Sequence, residues 1–515
     1  MPFRISKAAL AGGVLFLVGT GASAQQPPAP LADFDAYVQQ AVIDWEVPGL
    51  AIAVVKDDSV VFARGYGVRQ KGHPEPVTTR TLFANASTTK AFTASAIAML
   101  VDAELLAWDD RVEDVLPGVV MADPYVTREL RLRDLLVHNL GFGDPQELWY
   151  GMELPFEEIV HRLRFQEPVT SFRSRFAYNN VGYAMAGEIG GAANGTSWDE
   201  LIQGRILAPL GMTATVTQGR YLPEGADVAM PHDMVADTLA VIEGEMGLVD
   251  PIPAAGSMFS NVEDMSRWIR FLLAGGAWNG AQLISDTSFA ELLKPQDILP
   301  ADEFYASMRL THPWFTGYGM GWFLQDYRGR KLAFHTGSID GFVAIIGLMP
   351  EADFGIVVFA NRDHAELRHA LMFRALDLYL GEPVRDWNSE FLALYDSIGA
   401  ERDHKREETE ADRVEETTPS LSLDAYAGTY TDSLFGPVEV RFEPGGAGND
   451  GHLVLYRSDF LTADLGHWHY DVFEATWRKQ WLGPDRVIFV IGTDGTATEL
   501  RMWGRSLGRV KEPVA

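Results

Sequence analysis

Residues 401–418 read ERDHKREETEADRVEETT, with Ala411 and Val414 as the clearly apolar side chains. A run this charged has nothing to bury, so it is expected as a solvated linker or a surface helix. It interrupts a chain of 515 residues, which is too long for one hydrophobic core. Two folding units are therefore expected, at 32–385 and 420–515, with a charged linker over 386–419.

The two sides of that run differ in texture. Leu50 to Val55 and Val60 to Tyr66 are apolar, β-branched runs joined by Lys56-Asp57-Asp58-Ser59, the pattern of a hairpin. Helical signals follow at Ser87 to Asp102, Asp134 to Val137, Gly182 to Gly190 and Val262 to Leu273. Strand texture returns at Leu332 to His335, Phe342 to Leu348 and Gly355 to Ala360, with Pro350-Glu351-Ala352-Asp353 as the last turn. A strongly amphipathic helix is expected at Ala365 to Leu380. Strands at both ends with helices between imply one sheet built from both termini, with a helical subdomain inserted: an α+β fold. Beyond the charged run, Ala425 to Tyr430, Val438 to Phe442, Leu453 to Tyr456, Val487 to Ile491 and Thr498 to Trp503 alternate, with Gly- and Asp-rich turns (GGAGNDG, TDG) between them. They predict a small all-β barrel or sandwich.

The formal net charge of −29 repels phosphate backbones, so no nucleic-acid partner is expected. The chain has no cysteine, which excludes disulfides, thiolate nucleophiles, Cys-type metal sites and a lipidated cysteine. Residues 1–24 read as a signal peptide: Arg4 and Lys7, an apolar run from Ala8 to Val18, then Ala22-Ser23-Ala24 before Gln25. The apolar run is shorter than the ~20 residues of a membrane span. The mature protein is expected to be periplasmic or secreted, with no stable membrane insertion after cleavage.

Ser87-Thr88-Thr89-Lys90 carries the strongest chemical signal. A serine hydroxyl is a weak nucleophile until a base takes its proton. On a helix, residues i and i+3 share a face, so Lys90 can reach Ser87. The lysine must be substantially neutral to act as that base, which burial can achieve. Tyr178-Asn179-Asn180 adds a tyrosine able to act as or share the base, and an asparagine able to hold a substrate amide and contact the lysine. His335-Thr336-Gly337-Ser338 ends a predicted strand, where Gly337 would let a substrate backbone approach and the edge would pair with an acyl group. Each motif alone has a bland reading: a capped helix with a solvated lysine, a turn beside a packed aromatic, a core histidine.

Together and in this order, the three motifs resemble those of the serine β-lactamase and penicillin-recognising superfamily, in its class C-like branch. VPGLAIAVVKDDSVVFARGYG, LRDLLVHNLG, AAGSMFSNVEDMSRW and YGMGW support the resemblance, which covers about residues 32–385. It implies a β-lactamase/transpeptidase-like fold, an antiparallel sheet flanked by helices plus a helical subdomain. It also implies an acyl-enzyme on Ser87, with Lys90 and Tyr178 sharing the proton and Asn180, His335, Thr336, Gly337 and Ser338 binding substrate. The backbone N–H groups of Ser87 and Ser338 would form the oxyanion hole, and no metal or cofactor is required. The antibiotic-resistance enzymes carry lysine where this chain has His335, which is mostly neutral at pH 7. That argues against efficient β-lactam hydrolysis and fits the family's esterases and peptidases better; with the C-terminal extension as an added wall for extended substrates, a peptidase or amidase acting on short or non-standard peptides is expected. An esterase or β-lactamase is the alternative within the class, and a non-catalytic penicillin-binding protein is the alternative outside it. The C-terminal segment resembles a lipocalin-like barrel extension that caps the site or mediates assembly, so a homo-oligomer is a possible state.

Other features are read more plainly. His467 and His469 are expected as a surface or barrel-lining pair rather than a metal site. His138 is expected to make a structural hydrogen bond. Trp314, Phe315, Tyr318 and Trp322 form an aromatic group expected to be half core, half pocket.

Overall fold

The computed structural model describes residues 29–510 except 237, 243–245, 301–303, 384 and 446–450; the expected signal peptide and most of the GGAGNDG turn lie outside them. Seven helices matter here: α1 (Phe34–Asp44), α2 (Thr89–Asp102), α3 (Leu132–Val137), α4 (Asn180–Asn194), α5 (Val262–Leu273), α6 (Leu367–Leu380) and α7 (Trp387–Ala411). The main sheet contains β1 (Gly49–Lys56), β2 (Ser59–Gly67), β3 (Asp297–Ile298), β4 (Thr316–Tyr318), β5 (Phe323–Tyr327), β6 (Arg330–Ile339), β7 (Phe342–Met349) and β8 (Phe354–Ala360). Its spatial order is β2-β1-β8-β7-β6-β5-β4-β3, antiparallel throughout. The N-terminal hairpin thus pairs with the last strand of the unit, and the helical region is inserted between them.

The central strands read as unbroken apolar runs because both faces are covered. In β1, Ala51, Ala53 and Val55 join a core with Ile97 of α2 and Trp268 of α5. Leu50, Ile52 and Val54 point the other way, into a core with α1 and α6. This is the two-residue alternation of a strand, buried on each side. α6 differs from its expected amphipathic character: Arg368, His369 and Asp377 are as buried as Leu371 and Phe373. The reason is that α1 and α7 cover the face that would otherwise meet solvent. α7 begins with buried Trp387 and Phe391 and runs on as an exposed charged helix to Ala411.

The C-terminal segment is a closed eight-stranded antiparallel barrel, β9 (Gly428–Asp432), β10 (Gly436–Glu443), β11 (His452–Tyr456), β12 (Thr462–His469), β13 (Val472–Trp477), β14 (Asp485–Ile491), β15 (Ala497–Met502) and β16 (Arg505–Arg509). Val438 and Val440 face its interior while Glu439 and Arg441 face outward. Closure removes the exposed sheet edge that a small all-β unit would otherwise carry. A bulge separates His467 from His469. His467 Nε2 meets the Tyr470 carbonyl, and His469 Nδ1 accepts the Val414 N–H.

The barrel docks firmly on the unit that holds the main sheet. Arg457, 7% exposed, donates to the Glu147 and Phe435 carbonyls at 2.7 and 3.1 Å. Ser458 Oγ donates to the Gly151 carbonyl at 2.6 Å, and the Phe460 ring packs edge-on to Tyr150. Trp481 Nε1 and the Tyr150 hydroxyl both donate to Asp340 Oδ2, at 2.9 and 2.6 Å. Asp340 sits in the β6–β7 turn, two residues after Ser338.

Candidate active site

Ser87 lies in a single 3₁₀ turn, Ala86–Thr88, that leads into α2. Two short pairings hold the approach to it: Phe83 opposite Ser260 and Ala84 opposite Phe259. The Asn85 N–H donates to the Met258 carbonyl at 2.8 Å. Ala86 then takes a left-handed φ of 45°. That conformation costs an alanine roughly 1–2 kcal/mol, so the surrounding structure is imposing it. The effect is to present the Ser87 hydroxyl at the head of α2.

Lys90 sits one turn on and is completely buried. Its Nζ lies 3.0 Å from Ser87 Oγ, 2.7 Å from Asn180 Oδ1 and 2.7 Å from the Ala255 carbonyl. The Tyr178 hydroxyl donates to Ser87 Oγ at 2.9 Å. Burial pulls the Lys90 ammonium down to about 7, with the Asp144 carboxylate opposing the drop. Burial pushes Tyr178 well above its ordinary 10, although its hydrogen bond to Ser87 pulls the other way. At neutral pH the lysine therefore gives up its proton far more readily than a solvated one, while the tyrosine keeps its proton.

A neutral histidine network stands behind Tyr178. His138, in a left-handed conformation at the end of α3, accepts the Asn179 N–H at Nδ1 (3.0 Å). Its proton must then be on Nε2, which faces the Tyr318 hydroxyl at 3.3 Å. Tyr318 in turn lies 3.0 Å from His335 Nε2, and His335 Nδ1 lies 2.6 Å from the Thr336 carbonyl. The pattern is consistent in one direction only: His138 donates to Tyr318, Tyr318 to His335, and His335 to a carbonyl. Burial drives His335 down to about 3 and His138 well below its usual value. His335 is thus turned into the protein and does not line the cleft, in contrast to its expected place among the substrate-binding residues. His138 has the structural role expected of it, pinning the Asn179 backbone beside Tyr178.

Gly337 also differs in its reason from the sequence reading. A Cβ there would stand 2.2 Å from the Asn85 carbonyl oxygen and 3.1 Å from the Ser87 nitrogen. The close approach it permits is that of the turn carrying Ser87 rather than of a substrate. Ser338 is exposed at the cleft, and its Oγ accepts from Arg368 at 3.0 Å. Thr336 Oγ1 bonds Tyr305 at 2.7 Å. Arg368 also holds the Gly337 and Ala344 carbonyls and pairs with Glu366 at 2.8 Å. This buried pair anchors the strand that faces Ser87.

The cleft over Ser87 holds about 410 Å³. Tyr178, Thr336 and Ser338 line it together with Phe176, Phe304, Tyr305 and Phe323. None of these described lining residues carries a charge. The sequence reading missed the four additional aromatic residues because they come from three separate segments, at Phe176, at Phe304-Tyr305 and at Phe323. It named instead Tyr318 and Trp322, which are core, and Trp314 and Phe315, which are exposed away from the cleft. A larger cavity of about 910 Å³ opens between the barrel and the unit that holds the main sheet, but Ser87 does not border it.

An antiparallel sheet with a Ser-x-x-Lys serine at the head of a central helix defines the penicillin-recognising class of serine hydrolases. A family model described as Beta-lactamase matches residues 34–380, and the chain belongs to that family. A second model, described as a domain of unknown function (DUF3471), matches residues 412–507, which include the barrel. The chain is 27% identical to the unguisins hydrolase ungD of Aspergillus violaceofuscus (strain CBS 115571), over 88% of this chain and 85% of that protein. It is 30% identical to penicillin-binding protein 4 of Amycolatopsis lactamdurans, over 65% of this chain and 86% of that one. Among solved structures, the octameric penicillin-binding protein homologue from Pyrococcus abyssi superposes with a TM-score of 0.61 at 22% identity, covering 93% of this chain and 99% of that one. SurE superposes with a TM-score of 0.55 at 21% identity, covering 94% of this chain and 99% of that one. These two structures share the fold.

Proposed function

We propose that this β-lactamase-family serine hydrolase is exported and forms an acyl-enzyme on Ser87, cleaving peptide or amide bonds of short or non-standard peptides. The observation that carries the mechanism is a fully buried Lys90 amine 3.0 Å from the Ser87 hydroxyl, itself held by Tyr178. Lys90 takes the Ser87 proton as Oγ bonds the substrate carbonyl carbon. The backbone N–H groups of Ser87 and Ser338 stabilise the oxyanion. The Lys90–Tyr178 pair returns the proton to the leaving amine, then activates the water that releases the acyl group.

The lining of the cleft supports a peptide over a β-lactam. Among the described lining residues none offers a substrate carboxylate a cation: His335 is neutral and buried, and Arg368 is committed to Glu366. Four aromatic rings besides Tyr178 offer an apolar acyl side chain a large contact area. One curated relative is named as a hydrolase of unguisins, which accords with a hydrolytic rather than a purely binding role. Export rests on residues 1–24; among the described residues no helix is long and apolar enough to cross a membrane.

The test is turnover by the mature protein of mixed linear L- and D-residue peptides, p-nitrophenyl butyrate and a cephalosporin, read by mass spectrometry with Ser87→Ala as control. Ser87-dependent peptide cleavage is expected. Full activity in Ser87→Ala overturns the nucleophile, and ester or cephalosporin turnover with every peptide intact overturns the peptidase reading.

A further inference from the structure

Lys90 Nζ meets three oxygens, and a neutral amine has two hydrogens and one lone pair. Which neighbour donates a hydrogen to the lone pair decides whether Lys90 can act as a base on Ser87. The Ala255 carbonyl can only accept, so it takes one hydrogen. Asn180 offers either an oxygen or an NH₂ group, depending on how its amide is turned. If the oxygen faces Lys90, it takes the second hydrogen, and the lone pair is left for the Ser87 hydroxyl. If the NH₂ group faced Lys90, it would compete with Ser87 for the lone pair.

The amide orientation is determined by Asp144, a residue outside the three motifs. Asp144 Oδ1 accepts the Asn180 backbone N–H at 2.7 Å, and Oδ2 accepts the Asn180 Nδ2 at 2.8 Å. The Trp149 Nε1 fixes the same carboxylate at 3.1 Å. A carboxylate only accepts, so the Asn180 NH₂ must face it and the amide oxygen must face Lys90. We propose that Asp144 is a positioning residue of the hydrolytic site: its two-point grip on Asn180 directs the Lys90 lone pair onto the Ser87 hydroxyl. This deepens the reading in which Lys90 is the base, and it rests on that reading. It also bears on substrate binding. With Oδ1 committed to Lys90, Asn180 has only its second amide hydrogen for a substrate carbonyl.

The surroundings leave Asp144 as the nearby anion. Lys90 otherwise faces the rings of Tyr178 and Tyr183, at 4.9 and 5.4 Å, and the neutral rings of His138 and His335. Burial raises the Asp144 carboxyl above its usual range, while Asn180, Lys90 and Trp149 oppose the rise.

Asp144→Asn keeps the shape but gives the site one acceptor and one NH₂ where it had two acceptors. The Asn180 amide then turns, and its NH₂ group meets Lys90. The expected loss in kcat/KM is roughly 100-fold or more, the scale of a misdirected general base. Removing the anion also moves the acid limb of the pH profile down, by roughly one unit. The partner swap Asp144→Asn with Asn180→Asp restores the pattern. Asn at 144 still accepts the backbone N–H and donates to the new carboxylate, which offers Lys90 only an acceptor. The swap is expected to recover at least a tenth of the wild-type plateau rate, with the acid limb moved up because a carboxylate now adjoins the ammonium.

The assay is kcat/KM against pH for p-nitrophenyl butyrate and for whichever peptide the mature enzyme cleaves, with thermal unfolding of each variant alongside. A folded Asp144→Asn enzyme with unchanged rate and acid limb overturns the proposal. So does a rate loss in Asp144→Asn that the swap leaves uncorrected. Should the single variant fail to fold, the swap decides alone, and an inactive folded swap refutes the assignment. Ser87→Ala separates this outcome from failure of the underlying mechanism: if that variant stays active, the site itself is misassigned.

Discussion

Gly337→Ala tests the contact between β6 and the Ser87 turn with a single methyl group. The new Cβ would sit 2.2 Å from the Asn85 carbonyl oxygen, 3.0 Å from Ala86 Cβ and 3.1 Å from the Ser87 nitrogen. The nearest of these is backbone, so no side-chain rotation relieves it. To reach the 3.0 Å below which real Cβ contacts essentially never fall, β6 and the turn must separate by about 0.8 Å. Overpacking of this kind costs about 1–3 kcal/mol of stability. The functional effect is larger, because the gap opens between Ser87 and Ser338, the two proposed oxyanion donors. A misplacement near 1 Å costs on the order of 100-fold in rate. The loss is expected in kcat more than in KM, since the oxyanion exists only in the transition state. Steady-state kinetics with a peptide or ester, beside a thermal melt, reads both quantities. A Gly337→Ala enzyme with wild-type kcat and an unshifted melt would show that the two segments are not held in this contact.

Further outcomes follow from the same geometry. In the proposed mechanism Lys90 acts only when neutral, and it is held at about 7, so kcat/KM is expected to rise with pH through about 7 and level off above it. The folded chain also binds fewer protons than the unfolded one between about 7 and 10.5 at this residue, so its contribution to stability increases with pH across that window, as a urea titration series would show. Glu366→Gln leaves Arg368 buried without its counter-charge and is expected to cost about 3–5 kcal/mol in chemical denaturation. In the wild type, burial raises the Glu366 carboxyl but Arg368 and His369 outweigh it and hold it below 4.5, so its contribution is complete above that pH and is lost as pH falls. Trp481→Phe removes the barrel's hydrogen bond to Asp340 and is expected to cost about 1 kcal/mol, with a several-fold fall in peptide kcat/KM if the β6–β7 turn depends on that bond.

The sheet was legible because its strands are buried on both faces, which leaves runs such as GLAIAVV and FVAIIGLM with no polar residue to confuse the pattern. The helix after it was misjudged for the same reason in reverse: Arg368 and Asp377 look like a solvent face, but each has a buried partner in Glu366 or Tyr327. In the barrel, β13, β16 and all of β12 but its end at His467–His469 escaped notice. TADLGHWH places Asp, Gly and Ala where β-branched residues would signal a strand, and RSLGR is mostly polar. Ser87 and Lys90 were legible as a pair because helical spacing alone brings them to one face. Asp144 and the Ala255 carbonyl were not, since one reaches the site through a loop and the other contributes only backbone, which no side-chain pattern records.

The distances also bear on how Lys90 and Tyr178 divide the work in the proposed mechanism. Both contact Ser87, and a sequence motif cannot rank them. Burial acts on the two in opposite senses: it favours neutral forms, which means an unprotonated lysine but a protonated tyrosine. The same desolvation thus creates a base at Lys90 and removes one at Tyr178. The resting hydrogen bonds agree, because Tyr178 already donates to Ser87 Oγ, so the serine's own proton is free to point at Lys90. Tyr178 then stabilises the charge that develops on Oγ and is placed to hand a proton toward the departing group. The arrangement requires Lys90 itself to stay desolvated, and its complete burial beneath Ser87 secures this. The loop that begins at Asp144 ends against the barrel at Gly151. The barrel therefore braces the loop holding Asn180 in place and, through Asp340, the turn beside Ser338, so both walls of the site share one external support.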